Sequence, residues 1–77
     1  MDIRDVFGRN LKRYRSQAGL SQDVLAAKMG VDRAHVSAME RGQQNVTIIT
    51  LWHAALALEV KPAALLDDSD ETDRVDR

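Results

Sequence analysis

The 77-residue sequence predicts an all-α fold, a compact domain of five short helices. Apolar residues recur at helical spacing, and residues that favour helix N-caps precede the apolar segments. The alternating pattern of β-strands is absent, and the connections are brief, which favours helices packed directly against one another. Because 44% of the residues are hydrophobic, the chain can form one modest core.

The first helix is predicted from an apolar stripe near the N-terminus. Its members recur at i, i+4, i+8 and i+11: Ile3, Phe7, Leu11 and Tyr14. Gly19 marks its end, and its outer face is basic, with Arg4, Arg9, Lys12 and Arg13. We therefore expect an amphipathic helix with one buried and one solvated face.

The second and third helices form a close pair. Ser21 is expected to cap the second, Gln22 to Met29, and Asp32 to cap the third, Arg33 to Arg41, through its side chain. Gly42 suits the left-handed position after the third helix. Only Gly30, Val31 and Asp32 separate the two, so they are expected to meet at a steep angle as a helix-turn-helix. Small or apolar residues are expected at their contact and in the core: Leu25, Ala26, Met29, Val31, Val36 and Met39.

The fourth helix carries two apolar stripes. Thr47 caps it, and it is expected to reach about Leu58; Pro62 then begins a short fifth helix that ends near Leu66. One stripe is expected in the core: Ile48, Leu51, Ala55 and Leu58. The other, with two neighbours, is expected to form a dimer contact: Ile49, Trp52, Leu56, Val60 and Ala63. The alternative is that the fifth helix folds back and covers Trp52.

The charges are segregated along the chain. Residues 67–77 carry six acidic and two basic side chains, whereas residues 1–66 carry nine basic and six acidic ones. We therefore divide the chain into a folded domain, 1–66, and an acidic tail, 67–77. The tail has almost no apolar residues and is expected to be disordered, either as a solubilising segment or as a competitor of a ligand's phosphates for the basic domain.

Several classes of function are disfavoured by composition. There is no cysteine, and His35 and His53 have no neighbouring ligand pair, so we expect no metal or other cofactor. No apolar run is long enough for a bilayer, no signal peptide begins the chain, and no small-molecule site is evident. No nucleophile–base pair or carboxylate pair indicates an enzyme. The expectation is a soluble, cytoplasmic binding protein.

A known family is similar to this sequence. The DNA-binding domains of the Cro and phage-repressor type (XRE family) resemble the run LKRYRSQAGLSQDVLAAKMGVDRAHVSAMERG. The same family's fourth and fifth helices resemble NVTIITLWHAALALEVKPAALL. Shared motifs are SQ opening the second helix, LA within it, G at the turn and ER-G closing the third. The resemblance covers roughly residues 3–66 and implies a five-helix, lambda-repressor-like fold. The segment RGQQNVT also resembles controller proteins of restriction–modification systems.

The resemblance implies that the third helix lies in the major groove of double-stranded DNA. Arg33 would reach a guanine edge, and Ala34 and Ala38 would contact thymine methyl groups. Ser37 would bond a base edge or a phosphate. The remaining candidates are His35, at the flank of the helix, and a set for the DNA backbone: Gln22, Arg41, Gln43, Gln44 and Asn45. Each has a simpler alternative, that of an ordinary solvated surface residue.

Two further expectations follow from the resemblance. Arg15 and Glu40 match a family pair that joins the first and third helices, so we expect a structural ion pair. The function implied is a sequence-specific transcriptional regulator, a repressor or autoregulator, binding a palindromic operator as a homodimer. The alternative is a protein-interaction module, such as an antitoxin, whose main partner is another protein.

Overall fold

The computed structural model describes residues 1–69, which form four α-helices and one 3₁₀ turn and contain no strand. The helices are α1 (Ile3–Gln17), α2 (Gln22–Met29), α3 (Arg33–Glu40) and α4 (Ile48–Leu58), and the 3₁₀ turn is Pro62–Leu66. The all-α prediction is thus confirmed for this part of the chain. Most of the predicted disordered tail, residues 70–77, lies outside the described residues.

The predicted short fifth helix is present with its predicted bounds, Pro62–Leu66, but it is a 3₁₀ turn, so residues 1–69 form four α-helices and not five. Its carbonyl groups accept hydrogen bonds from three residues on, as in Ala64 N to Lys61 O at 2.9 Å. Five residues that begin with proline offer too few i→i+4 bonds for an α-helix to be favoured. The turn still has the packing role expected of the helix, because Leu65 is fully buried.

Side-chain caps start three of the four helices. Ser21 Oγ accepts from Val24 N at 3.1 Å, and Thr47 Oγ1 accepts from Thr50 N at 3.0 Å, as predicted. The sequence did not indicate the cap of α1, where Asp2 accepts from Arg4 N at 2.9 Å. Asp32 is the N-cap residue of α3, as predicted, but the predicted capping bond is wrong, since its side chain accepts no such hydrogen bond. Its carboxylate remains in solvent at the positive end of α3, where a negative charge is still favourable.

The turn between α2 and α3 has the predicted geometry. Gly30 has φ of 73°, a left-handed conformation that glycine adopts without a Cβ clash. Val31 N donates to Ala26 O at 3.0 Å, which closes the end of α2. Ala26 is buried, so the two helices approach closely above its methyl group. The predicted helix-turn-helix is therefore present.

The core lies between α1, α2, α3, α4 and the 3₁₀ turn. Its buried members are Phe7, Leu11, Leu25, Ala26, Met29, Val36, Met39, Ala54, Ala55, Leu58 and Leu65. Two predicted core residues are wrong, since Ile3 is 55% exposed and Ile48 is 81% exposed. Each is the first residue of its helix, where the helix end projects past the core. Both line a shallow apolar groove together with Phe7, Leu51 and Leu66.

One buried polar side chain fixes the C-terminal end of the domain. Asn10 is 1% exposed, and its Nδ2 donates to Leu65 O at 3.1 Å and Asp67 O at 2.8 Å. These bonds hold the 3₁₀ turn against α1.

Among residues 1–69, none of the helices is sufficiently long and apolar to cross a membrane.

Candidate nucleic-acid interface

The outer face of α3 carries only short side chains in its middle, as the sequence suggested, and is called shallow for this reason. Val36 and Met39 are buried beneath the helix, which fixes the opposite side as the one available to a ligand. Ala34 is exposed there, and His35, Ser37 and Ala38 are half-buried. No long side chain arises from the middle of this face, so its backbone can come close to a partner surface.

Arg33 stands at the N-terminal end of this face and points into solvent. Its Nε lies 3.8 Å from Asp23 Oδ1, with 65% of the Arg33 side chain and 76% of the Asp23 side chain exposed. Exposed pairs of this kind are worth little and exchange readily for other partners. The guanidinium is therefore accessible to an acceptor presented along α3.

Arg41 closes the other end of the face and contacts two side chains of the same surface. Its Nη1 donates to Ser37 Oγ, and its Nε donates to Gln43 Oε1 at 3.2 Å. Ser37 and Gln43 therefore hold the guanidinium from two sides. The sequence placed these residues on one surface but did not indicate that they bond to one another.

Arg15 and Glu40 form a bidentate ion pair between α1 and α3. Arg15 Nε lies 2.5 Å from Glu40 Oε2, and Arg15 Nη2 lies 3.0 Å from Oε1, with side chains only 13% and 4% exposed. Because the Arg15 guanidinium donates hydrogen bonds to the Glu40 carboxylate, the pKa of Arg15 is raised above its usual value. Arg15 Nη1 also donates to Leu20 O at 2.9 Å, which anchors the pair to the loop after α1.

Gln22 belongs to the same cluster. Its Nε2 donates to Glu40 Oε1 at 3.0 Å, and its side chain is half-buried at the start of α2. In the free protein this amide therefore orients Glu40, and its predicted contact with a DNA phosphate remains a prediction. The cluster ties α1, α2 and α3 together beside the outer face of α3.

Gly8 also sets the distance between α1 and α3, and sequence reasoning missed it. A Cβ at this position would lie 2.4 Å from Met39 O and 2.9 Å from Glu40 O, far inside van der Waals contact. The available signal was a glycine in the interior of an amphipathic helix, which costs about 1 kcal/mol relative to alanine and thus indicates a packing requirement.

The loop after α3 provides the remaining predicted DNA contacts. Gln43 and Asn45 are exposed, and Gln44 is half-buried beside the apolar groove. Asn45 Oδ1 accepts from Arg4 Nη1 at 3.5 Å, so the N-terminal end of α1 lies against this loop. The structure thus brings Arg33, Ser37, Arg41 and Gln43 onto one continuous segment from α3 to the loop.

An apolar stripe on α4 is exposed. Ile49, Trp52 and Leu56 are 63%, 51% and 58% exposed. Ile48, which lies four residues before Trp52 on the same helix, is 81% exposed and extends the stripe. The 3₁₀ turn does not cover Trp52, contrary to the alternative weighed above. Val60 is half-buried against the core, whereas Ala63 is exposed. Val60 therefore has less surface to offer a partner than the other four predicted contact residues.

Comparison with known proteins agrees with this geometry. A helix-turn-helix family model, HTH_3, matches residues 11–65, which span α2, the turn and α3. The chain belongs to this helix-turn-helix family. The XRE-type resemblance seen in the sequence is thereby confirmed.

Named relatives fall in two groups, transcriptional regulators and controller proteins. An uncharacterized HTH-type transcriptional regulator, y4dJ of Sinorhizobium fredii, is 40% identical over 94% of both chains. The restriction–modification controller protein C.AhdI of Aeromonas hydrophila is 40% identical, covers 80% of this chain and 94% of its own, and superposes with a TM-score of 0.78. The hypothetical transcription factor NHTF from Neisseria is 35% identical, covers 96% of this chain and 85% of its own, and gives 0.86.

Proposed function

We propose that this family member is a sequence-specific DNA-binding transcriptional regulator that acts as a homodimer on a palindromic operator. The observation that carries the proposal is the outer face of α3, which is shallow in the middle and has an arginine at each end. A helix of this shape fits the floor of the major groove. The controller protein C.AhdI has the same fold, and a relative named as a transcriptional regulator matches along most of the chain.

Each half of the dimer would read a few base pairs. Arg33 would form a bidentate contact with guanine O6 and N7, while the methyl groups of Ala34 and Ala38 would contact thymine methyls. Few hydrogen-bond donors face the bases, so DNA shape would supply part of the selectivity. The backbone would be bound by Arg41 and the loop residues Gln43, Gln44 and Asn45, with Gln22 at the start of α2.

Two copies are needed because α3 has only 8 residues. A single short helix makes too few base contacts for useful selectivity, whereas a two-fold dimer doubles the reading surface. The exposed stripe Ile49, Trp52 and Leu56 is the surface we assign to the dimer contact, with Ala63 and part of Val60 beside it. An exposed apolar stripe of this kind commonly marks an interface. Two recognition helices about 34–36 Å apart would enter successive major grooves on one side of the DNA.

The experiment is a selection of the full chain against random DNA duplexes, followed by a salt titration with the selected duplex. We expect enrichment of a palindrome whose half-sites lie about one helical turn apart. Affinity should then fall steeply with salt, because bound phosphates release counterions. A selection that enriches no sequence would contradict the proposal and favour the protein-interaction module instead.

A further inference from the structure

The hydroxyl of Ser37 lies between the methyl groups of Ala34 and Ala38 in the sequence of the outer face of α3, and it is bonded to Arg41. Ser37 and Arg41 lie four residues apart, so their side chains are neighbours on one face. Arg41 Nη1–H donates to Ser37 Oγ, and Arg41 Nε–H donates to Gln43 Oε1. The guanidinium is thus held at two of its three nitrogens by side chains of its own chain.

The backbone beneath these three residues is also fixed. Gly42 N donates to Met39 O at 3.1 Å, and Gln43 N donates to Ala38 O at 3.0 Å, which together form a Schellman motif at the end of α3. Gly42 has the left-handed φ of 74° that this motif requires. Ser37 and Gln43 therefore stand at fixed positions on either side of Arg41.

Three donors of Arg41 remain for a ligand, since a guanidinium has five N–H groups and two are used within the chain. Gln43 occupies the Nε edge of this guanidinium, so a bidentate contact with guanine would be restricted to the end formed by Nη1 and Nη2. A phosphate accepts hydrogen bonds over a wider range of directions. Arg41 also joins α3 to the loop that would follow the sugar–phosphate chain, so a backbone phosphate suits its position better than a base.

We propose that Ser37 is a positioning residue for Arg41 and contacts no base. Together with Gln43 it holds the Arg41 guanidinium toward one backbone phosphate, so that less side-chain freedom is lost when DNA binds. This inference rests on the proposed function. It differs from the direct role expected for Ser37, because it makes the effect of the hydroxyl depend on Arg41.

A double-mutant cycle tests this dependence. The full chain, Ser37→Ala, Arg41→Ala and the double variant would be titrated with the selected operator and with its single-base variants. We expect Arg41→Ala to weaken binding about tenfold and to lower the salt slope by about 1. Ser37→Ala should weaken binding about threefold for every duplex alike. The reason is that the Arg41 side chain would no longer be ordered before it binds DNA, and ordering it on binding costs free energy. The double variant should bind as Arg41→Ala does.

Two controls sharpen the result. Ser37→Thr keeps the hydroxyl and should bind like the parent chain, and thermal melting should show that all variants fold, because these side chains lie at the surface. A Ser37→Ala variant with altered preference at one base pair would overturn the inference, as would losses that multiply in the double variant. In either case the parent chain would still select its operator, whereas a parent chain that selects none would overturn the proposed function itself.

Discussion

At the scale of single residues, the four helices end in the same way. Each has a left-handed residue just past its last turn, and these residues are Gly19, Gly30, Gly42 and Glu59. Glu59 is the exception among the described residues, with φ of 59° and a Cβ that this conformation disfavours. Its backbone is held there by Val60 N, which donates to Ala55 O at 3.0 Å. A negative side chain at a helix C-terminus is unfavourable as well.

Glu59→Gly should therefore stabilise the domain. Glycine removes the Cβ strain, although it loses more backbone entropy on folding, so we expect a net gain of about 0.5–1 kcal/mol in the free energy of unfolding. Chemical denaturation measures this gain. The control Glu59→Ala removes the charge but keeps the Cβ. If Glu59→Gly were no more stable than Glu59→Ala, strain at this position would not be significant.

Asp2 provides a test at low pH. Its hydrogen bonds with the Arg4 side chain, and then with Arg4 N, lower the pKa of its carboxyl from 3.8 to about 2. Because the folded-state pKa is the lower one, the carboxylate stabilises the fold above about pH 4, and this stabilisation is lost as pH falls toward 2. Asp2→Asn keeps an acceptor for Arg4 N but cannot titrate.

We expect the parent chain to melt at a higher temperature than Asp2→Asn above pH 4, with the difference shrinking between pH 4 and 2. Thermal melts of both chains across this range measure it. A difference that does not change with pH would show that the charge of Asp2 contributes nothing to the stability of α1.

At the scale of elements, the orientation of α3 depends on α1. The Arg15–Glu40 pair joins the two helices through two hydrogen bonds, and Gly8 lets their backbones meet. The sequence predicted the pair through a family resemblance. For Gly8 it could indicate a close approach but not the partner helix, which depends on where α1 and α3 cross. Helix boundaries were predictable because caps and spacing are local signals. The exposure of Ile48 and the missing capping bond of Asp32 were not predictable, since both depend on where the end of a helix lies relative to neighbouring elements.

Glu40→Ala should destabilise the domain and weaken DNA binding together. It leaves Arg15 half-buried without its carboxylate and removes the acceptor of Gln22, and loss of one partner of a buried pair costs about 3 kcal/mol. The melting temperature should fall by more than about 10 °C for a domain of this size. Glu40→Gln, which keeps the shape and one acceptor, should lie between. A Glu40→Ala variant of full stability that merely binds DNA weakly would contradict the structural role.

At the scale of the whole molecule, the proposed function uses two exposed surfaces. One is the shallow face of α3 with the loop that follows it, and the other is the apolar stripe of α4 around Trp52. The sequence predicted that both would be exposed. The stripe of α4 was predicted because this helix has more apolar residues than one core-facing stripe requires. It did not predict that Ile48 would add to the second surface. In the proposed function, the first surface would bind DNA and the second would bind another copy of the chain.

Trp52→Ala should weaken self-association. Trp52 is the largest side chain of the stripe, and a buried aromatic residue at the centre of an interface is a frequent hot spot, whose loss costs about 2 kcal/mol or more. Sedimentation across a range of concentrations measures the change. Val24→Ala is a matched control, since Val24 is a 44% exposed apolar residue on α2 and not a member of the stripe on α4. Unchanged association of Trp52→Ala would place the dimer contact elsewhere.

The claim that α3 reads DNA bases is tested most directly by comparing the base preferences of the parent chain and Arg33→Ala. The measurement is the affinity of each chain for the selected operator and for every single-base variant of it. We expect Arg33→Ala to lose about 1–3 kcal/mol of discrimination at one guanine position in each half-site and to keep its preferences elsewhere. Equal weakening at all positions, with every preference retained, would contradict base reading by α3 at this residue.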